Sequence, residues 1–164
     1  MHLYLVQHGA SKSEAEDPQR SLTDEGRRTV EHMAECLASL GVALDRIEHS
    51  EKLRARQTAE ILAARLQPQD GTKQVSAMGP NDDVRPMLDQ LQTETKNVMV
   101  IGHLPYLSRL VAALLGIEKD QTIVEFRMGG VVRFGRNESG RWSLLWAVIP
   151  DLLPALAAGK RHAT

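Results

Sequence analysis

The chain has 164 residues and a net charge of −1, with 42% hydrophobic and 25% charged residues, which describes one globular domain with no electrostatic reason to seek nucleic acid or a membrane surface. A single cysteine, Cys36, excludes an internal disulfide and a thiolate metal site, and packing in a helix core is the expected role for it. No apolar run approaches the roughly 18 residues of a membrane span, and Met1 to Val6 is too short for a signal peptide, so the expectation is a cytoplasmic enzyme or binding domain of unspecified oligomeric state.

Leu3-Tyr4-Leu5-Val6 is a short apolar run that predicts a strand buried on both faces. Ser11 to Arg20 is polar and reads as a loop. Thr23 predicts a helix cap, with Asp24 and Glu25 favourably placed at the positive end of the helix dipole. Val30, Met33, Leu37 and Leu40 recur at helical spacing, and Gly41 stops the helix. A strand is expected over Asp45 to His49. The next helix carries Thr58, Ile61, Leu62 and Leu66 on one face and ends before Pro68. Residues 67 to 82 form a connection with a short strand near Val75. A third helix follows through Val84, Met87, Leu88 and Leu91, with Pro86 in its first turn. Asn97 to Ile101 is the clearest strand, and Pro105 can open a fourth helix with Leu107, Leu110, Val111, Leu114 and Leu115 facing inward. Strands are expected over Gly130 to Arg136 and Trp142 to Ile149. Beyond Pro150 the reading is a loosely held tail, residues 151 to 164, in which Leu152, Leu153 and Leu156 can dock as a helical turn. The alternation predicts a single three-layer α/β/α domain, residues 1 to 164, around a mostly parallel sheet.

In such sheets ligands collect outside the carboxyl ends of the strands. Gln7-His8-Gly9 and Gly102-His103-Leu104 each deliver a histidine directly after an apolar strand and beside a glycine, where a ligand can approach the backbone. Arg54 and Arg56 open a helix nearby, about 200° apart, so only one of them can face a given anion.

Four blocks, in order, resemble the histidine phosphatase superfamily, which includes phosphoglycerate mutases and acid phosphatases. Leu5-Val6-Gln7-His8-Gly9 resembles its opening Arg-His-Gly signature, and Arg20-Ser21-Leu22-Thr23-Asp24-Glu25-Gly26 its Arg-x-Leu-Thr-x-x-Gly segment. Ser50 to Ala59 resembles its Ser-Pro-x-x-Arg-Ala-x-Gln-Thr-Ala block, and Val100 to Pro105 the segment of its second histidine. In length and in His103-Leu104-Pro105 the chain is most similar to the SixA-type phosphohistidine phosphatases. The resemblance implies a phosphoglycerate mutase-like fold. It implies His8 as nucleophile, Arg54 and His103 as catalytic partners, and Gln7, Gly9 and Arg20 as phosphate or substrate contacts. Neither a metal nor another cofactor is implied. The partner is a phosphorylated protein carrying phosphohistidine, or a small phosphorylated substrate. Ser50 is expected to be a structural hydroxyl, and His2, His32, His49 and His162 surface or packing residues.

Two departures bear on activity. Gln7 stands where the family has arginine, exchanging charge-assisted hydrogen bonds for neutral ones, a difference of roughly 1–2 kcal/mol. The acid that protonates an alkoxide leaving group has one candidate, Asp83, which also suits capping of the following helix. Imidazole leaving from phosphohistidine needs that acid less, which favours a P–N substrate. Two other readings stay open: a small phosphomonoesterase using Asp83 as proton donor, and a phosphate- or phosphoprotein-binding homologue with little turnover because of Gln7.

Overall fold

The computed structural model describes residues 1–117 and 121–159; His162 and the rest of the expected tail beyond residue 159 lie outside the described residues. Six strands form one sheet: β1 (His2–Gln7), β2 (Arg46–Ser50), β3 (Thr72–Val75), β4 (Val98–Gly102), β5 (Val131–Arg136) and β6 (Trp142–Val148). Their order is β3-β2-β4-β1-β5-β6. The pairings β2–β3, β2–β4 and β1–β4 are parallel, whereas β1–β5 and β5–β6 are antiparallel.

β1 and β4 are buried on both faces because helices cover both. On one face Leu3, Leu5, Val98 and Val100 meet Met87 and Leu91 of α3 (Arg85–Thr93), and Leu107, Leu110 and Val111 of α4 (Tyr106–Leu115). On the other, Tyr4, Val6, Met99 and Ile101 meet Val30, Met33 and Leu37 of α1 (Asp24–Ser39), and Ala55, Ala59 and Leu62 of α2 (Leu53–Leu66). The result is a three-layer α/β/α fold. Alternating side chains thus serve two cores, which is why these strands read as continuous apolar runs.

Local chemistry sets the helix ends. Thr23 caps α1 by accepting from the Gly26 N–H at 2.9 Å, with Asp24 and Glu25 in the first turn. Leu40 lies beyond the last turn as C-cap and is 54% exposed, so it does not extend the inward stripe. Gly41 follows with a φ of 68°, left-handed backbone that favours glycine. In α2 the buried face is built on Ala55, Thr58, Ala59 and Leu62, with Ile61 and Leu66 half-buried at its edge. Small residues at 55 and 59 let the helix lie close to the sheet. A 3₁₀ turn, Pro150–Leu152, leads into α5 (Leu153–Gly159), and Leu153 packs against the α1–α2 core.

Candidate active site

Neighbouring strand ends bring the site together. β4 lies between β2 and β1, so Ser50, His103 and His8, at or just past the carboxyl ends of these three strands, converge although they are far apart in sequence. The His8 N–H donates to the Gly102 carbonyl at 3.2 Å, extending the β1–β4 ladder by one residue. The rings of His8 and His103 are 4.9 Å apart between centroids, tilted by 56°. Arg54, in the first turn of α2, donates from Nε to His8 Nε2 at 3.1 Å. His8, Arg54 and His103 are 7%, 8% and 2% exposed, so all three act in surroundings that amplify electrostatics.

The hydrogen bonds assign the state of His8. Its Nδ1 is 2.8 Å from the Gly9 carbonyl oxygen, which can only accept, so Nδ1 carries the proton. Nε2 receives the Arg54 N–H and therefore holds the lone pair. Burial, with Arg54 and Arg20 adding charge repulsion, pushes the His8 pKa down to about 4 against the contrary pull of the Gly9 carbonyl. Burial does the same to His103, helped by His8, Arg54, Lys52 and Arg20, and takes it to about 3. Both rings are neutral at neutral pH. His8 is thus a fixed tautomer with its lone pair beside a guanidinium.

Arg54 and Arg56 divide as helix geometry requires. Arg54 is buried against His8, whereas Arg56 is exposed and pairs with Glu60 at 3.7 Å. Arg20 sits in left-handed backbone, φ 53°, where its N–H donates to the Asp17 carbonyl and its Nε to that of Lys12. With Lys52, Arg54 and Arg56 it lines an open groove of about 520 Å³, together with Glu14 and Glu51. A larger apolar groove, about 620 Å³ beside α1 and α5, shares no residue with the site.

Four residues make contacts that the sequence did not indicate. Glycine at position 9 serves close packing, because a Cβ there would lie 2.8 Å from Val30 Cγ2 and 3.2 Å from the Gly26 carbonyl. Both polar groups of Gly9 are engaged internally, its N–H donating to Thr58 Oγ1 at 3.1 Å and its carbonyl accepting from His8. Thr58, fully buried, also donates to the Arg54 carbonyl at 2.7 Å, and so ties the loop after His8 to the helix carrying the guanidinium. Ser50 Oγ lies 2.6 Å from His103 Nε2. Gln57 Oε1 accepts from the Leu22 N–H at 2.8 Å, holding the segment after Arg20 to the same helix. The signal for these contacts was present in the Ser50–Ala59 block, but their partners are set by strand order.

Gln7 is 9% exposed at the end of β1. Asp83 accepts the Arg85 N–H at 3.0 Å and meets the Arg85 guanidinium at 2.7 Å, securing the start of α3 as a capping residue does. Among the described residues no carboxylate forms a hydrogen bond or ion pair with His8, Arg54 or His103. No helix among the described residues is long and apolar enough to cross a membrane.

Comparison with known proteins agrees with this geometry. A family model for the histidine phosphatase superfamily (branch 1) matches residues 3–75. Phosphohistidine phosphatase SixA of Escherichia coli is 30% identical over 155 residues, covering 92% of this chain and 94% of that protein. An uncharacterized protein of Picosynechococcus is 34% identical over 122 residues, 70% of this chain and 73% of its own. Among solved structures, protein histidine phosphatase SixA complexed with tungstate has a TM-score of 0.83 at 28% identity, covering 93% of this chain and 99% of that one. A mutant phosphoserine phosphatase of Entamoeba histolytica, in complex with phosphoserine, shares the fold at 16% identity with a TM-score of 0.72, covering 91% and 97%.

Proposed function

Because the chain belongs to the histidine phosphatase superfamily and its SixA relative supports a phosphatase, we propose that it removes phosphoryl groups from phosphohistidine in a partner protein, through a phosphorylated His8. His8 Nε2 attacks phosphorus, the P–N bond to the substrate imidazole breaks, and the leaving ring keeps the bonding pair. Water then attacks the phosphorus on His8 and releases inorganic phosphate. Charge in such a transfer spreads over three equatorial oxygens, so most of the acceleration comes from placement and positive charge. Arg54 supplies that charge, and the Nε–H that lies against His8 Nε2 is the donor a phosphoryl oxygen would take. His103 adds a second donor, and Arg20 a further cation at the groove.

The substrate class rests on one observation: the candidate for the proton-donating acid, Asp83, is engaged by Arg85. An alkoxide leaves poorly without an acid beside it. An imidazole whose second nitrogen carries a proton leaves as a neutral ring. The SixA relatives support the same reading. The open groove beside Arg54 leaves room for a residue presented by another protein.

A small-molecule phosphomonoesterase is favoured by one contrary feature. Burial pushes the Tyr106 hydroxyl up to about 12, and the Asp82 and Asp83 carboxylates add to the shift, so both lie within electrostatic reach of the residue that starts α4, three places after His103. Rates on phosphohistidine and p-nitrophenyl phosphate, for the wild type and Asp83→Asn, separate the two. The phosphohistidine reading expects the P–N substrate to be preferred and the variant to retain that activity. A preference for the ester, lost in the variant, would establish the monoesterase instead.

A further inference from the structure

The second histidine has a partner whose chemistry decides how the ring presents itself. Ser50 ends β2, the strand beside β4, and is 1% exposed; His103 follows β4 and is 2% exposed. Ser50 Oγ lies 2.6 Å from His103 Nε2, a short contact between two buried groups. The other ring nitrogen, Nδ1, is buried and has no hydrogen-bond partner in the protein among the described residues. A neutral imidazole has one donor and one acceptor nitrogen, so the Ser50 contact determines which face of the ring can donate.

Counting protons on the serine settles the direction. A hydroxyl has one hydrogen and two lone pairs. The Lys52 N–H already donates to Ser50 Oγ at 3.4 Å. If Nε2 also carried a hydrogen, Oγ would face two donors, and its own hydrogen would find no acceptor among the described hydrogen bonds. It would be buried and unsatisfied. If Nε2 carries the lone pair, the serine hydrogen goes to it and every group at this end of the ring is satisfied. The hydrogen of the imidazole then sits on Nδ1, which is buried without a protein partner among the described residues in either tautomer, so this arrangement leaves one group unpaired where the alternative leaves two.

We propose that Ser50 is a positioning residue for His103: its hydroxyl donates to Nε2 and so fixes the Nδ1–H tautomer, which gives the site a neutral donor for phosphoryl oxygen. The opposite tautomer would present a lone pair at the same place and repel an anion. Free histidine side chains favour Nε2–H, so without Ser50 the ring reverts towards the unproductive form. His8 and His103 are thereby set in the same tautomer by different means, one by a backbone carbonyl on Nδ1 and the other by a hydroxyl on Nε2. One becomes a nucleophile at Nε2 and the other a donor at Nδ1. The role in turnover rests on the phosphatase reading, but the tautomer does not.

The ring nitrogens report the tautomer directly. Long-range proton–nitrogen correlation spectra at neutral pH, with His103 assigned by the loss of its signals in His103→Gln, should show a protonated Nδ1 and an unprotonated Nε2 in the wild type. In Ser50→Ala the pattern should move towards Nε2–H and kcat should fall about ten-fold or more, which corresponds to one hydrogen bond in the transition state. Ser50→Thr keeps the hydroxyl and should retain the wild-type pattern. A protonated Nε2 in the wild type, or an unchanged pattern in a folded Ser50→Ala, would overturn the proposal. The wild-type spectrum decides even where a variant fails to fold. Wild type showing the expected pattern while failing to hydrolyse phosphohistidine would support Ser50's role and remove the substrate assignment instead.

Discussion

Thr58→Val tests how the nucleophile is held. Valine keeps the shape of threonine, so the change opens no appreciable cavity and removes only the hydroxyl. The Arg54 carbonyl keeps its ordinary helical partner, the amide four residues on. The buried Gly9 N–H loses its acceptor at 3.1 Å and has no water to replace it. An orphaned buried donor costs about 1–3 kcal/mol. For a chain of this size that lowers the melting temperature by roughly 2–12 °C. The same loss frees Gly9 to shift, and its carbonyl holds His8 Nδ1. Misplacing an attacking atom by about 1 Å costs up to roughly 100-fold in rate. Thr58→Ser gives the contrast, because it keeps the hydroxyl and loses one methyl, about 1 kcal/mol by burial alone. Urea unfolding and kcat on phosphohistidine, measured on all three proteins, should separate them: valine loses stability and rate, serine loses stability with rate near wild type. Equal rate losses in both variants would refute the argument.

The remaining predictions are brief. His8 is held at about 4 in the folded chain against 6.5 in the unfolded one, so the unfolded state binds more protons between those values and stability must rise with pH there. The His8 contribution, on the order of 3 kcal/mol, is present above 6.5 and lost as pH falls through about 4; urea unfolding across that range should show it, and a wild-type profile as shallow as that of His8→Asn would contradict it. Gly26→Ala should destabilise by about 1–3 kcal/mol or more, because its Cβ would lie 2.1 Å from the Ala10 carbonyl oxygen and force α1 away from the loop after His8; an unchanged melting temperature would refute this. Gln7→Arg should raise kcat about ten-fold if the missing cation limits turnover, and an unchanged rate would mean that Arg54 and Arg20 already supply the charge.

Much of this molecule is legible in its sequence, because its strands and helices have clean periods. Leu3 to Val6 and Val98 to Ile101 alternate between two helical layers, so each had to be apolar throughout, and Thr23 announces α1 with the hydroxyl that caps it. The places of His8 and His103 after apolar strands and of Arg54 at a helix start could be read from their motifs. Strand order is not a local property, so the contacts of Ser50 with His103 and of Thr58 with Gly9 could not be read from spacing. Glu48 shows the same limit. It lies at 0% exposure in β2, where a carboxylate survives only by pairing, and its partners Arg46 and Gln90 come from its own strand and from α3. Gly9 adds a further case: glycine marks close approach, and Val30 and Gly26 of α1 are what the folded chain brings against it.

The account depends above all on His8 Nε2 taking the phosphoryl group. Rapid quenching of the enzyme with labelled phosphohistidine, followed by mapping of the labelled peptide, tests this directly. Label should appear on His8 at Nε2, decay at the rate of turnover, and be absent in His8→Ala. Turnover persisting in His8→Ala, or label accumulating on another residue, would contradict it.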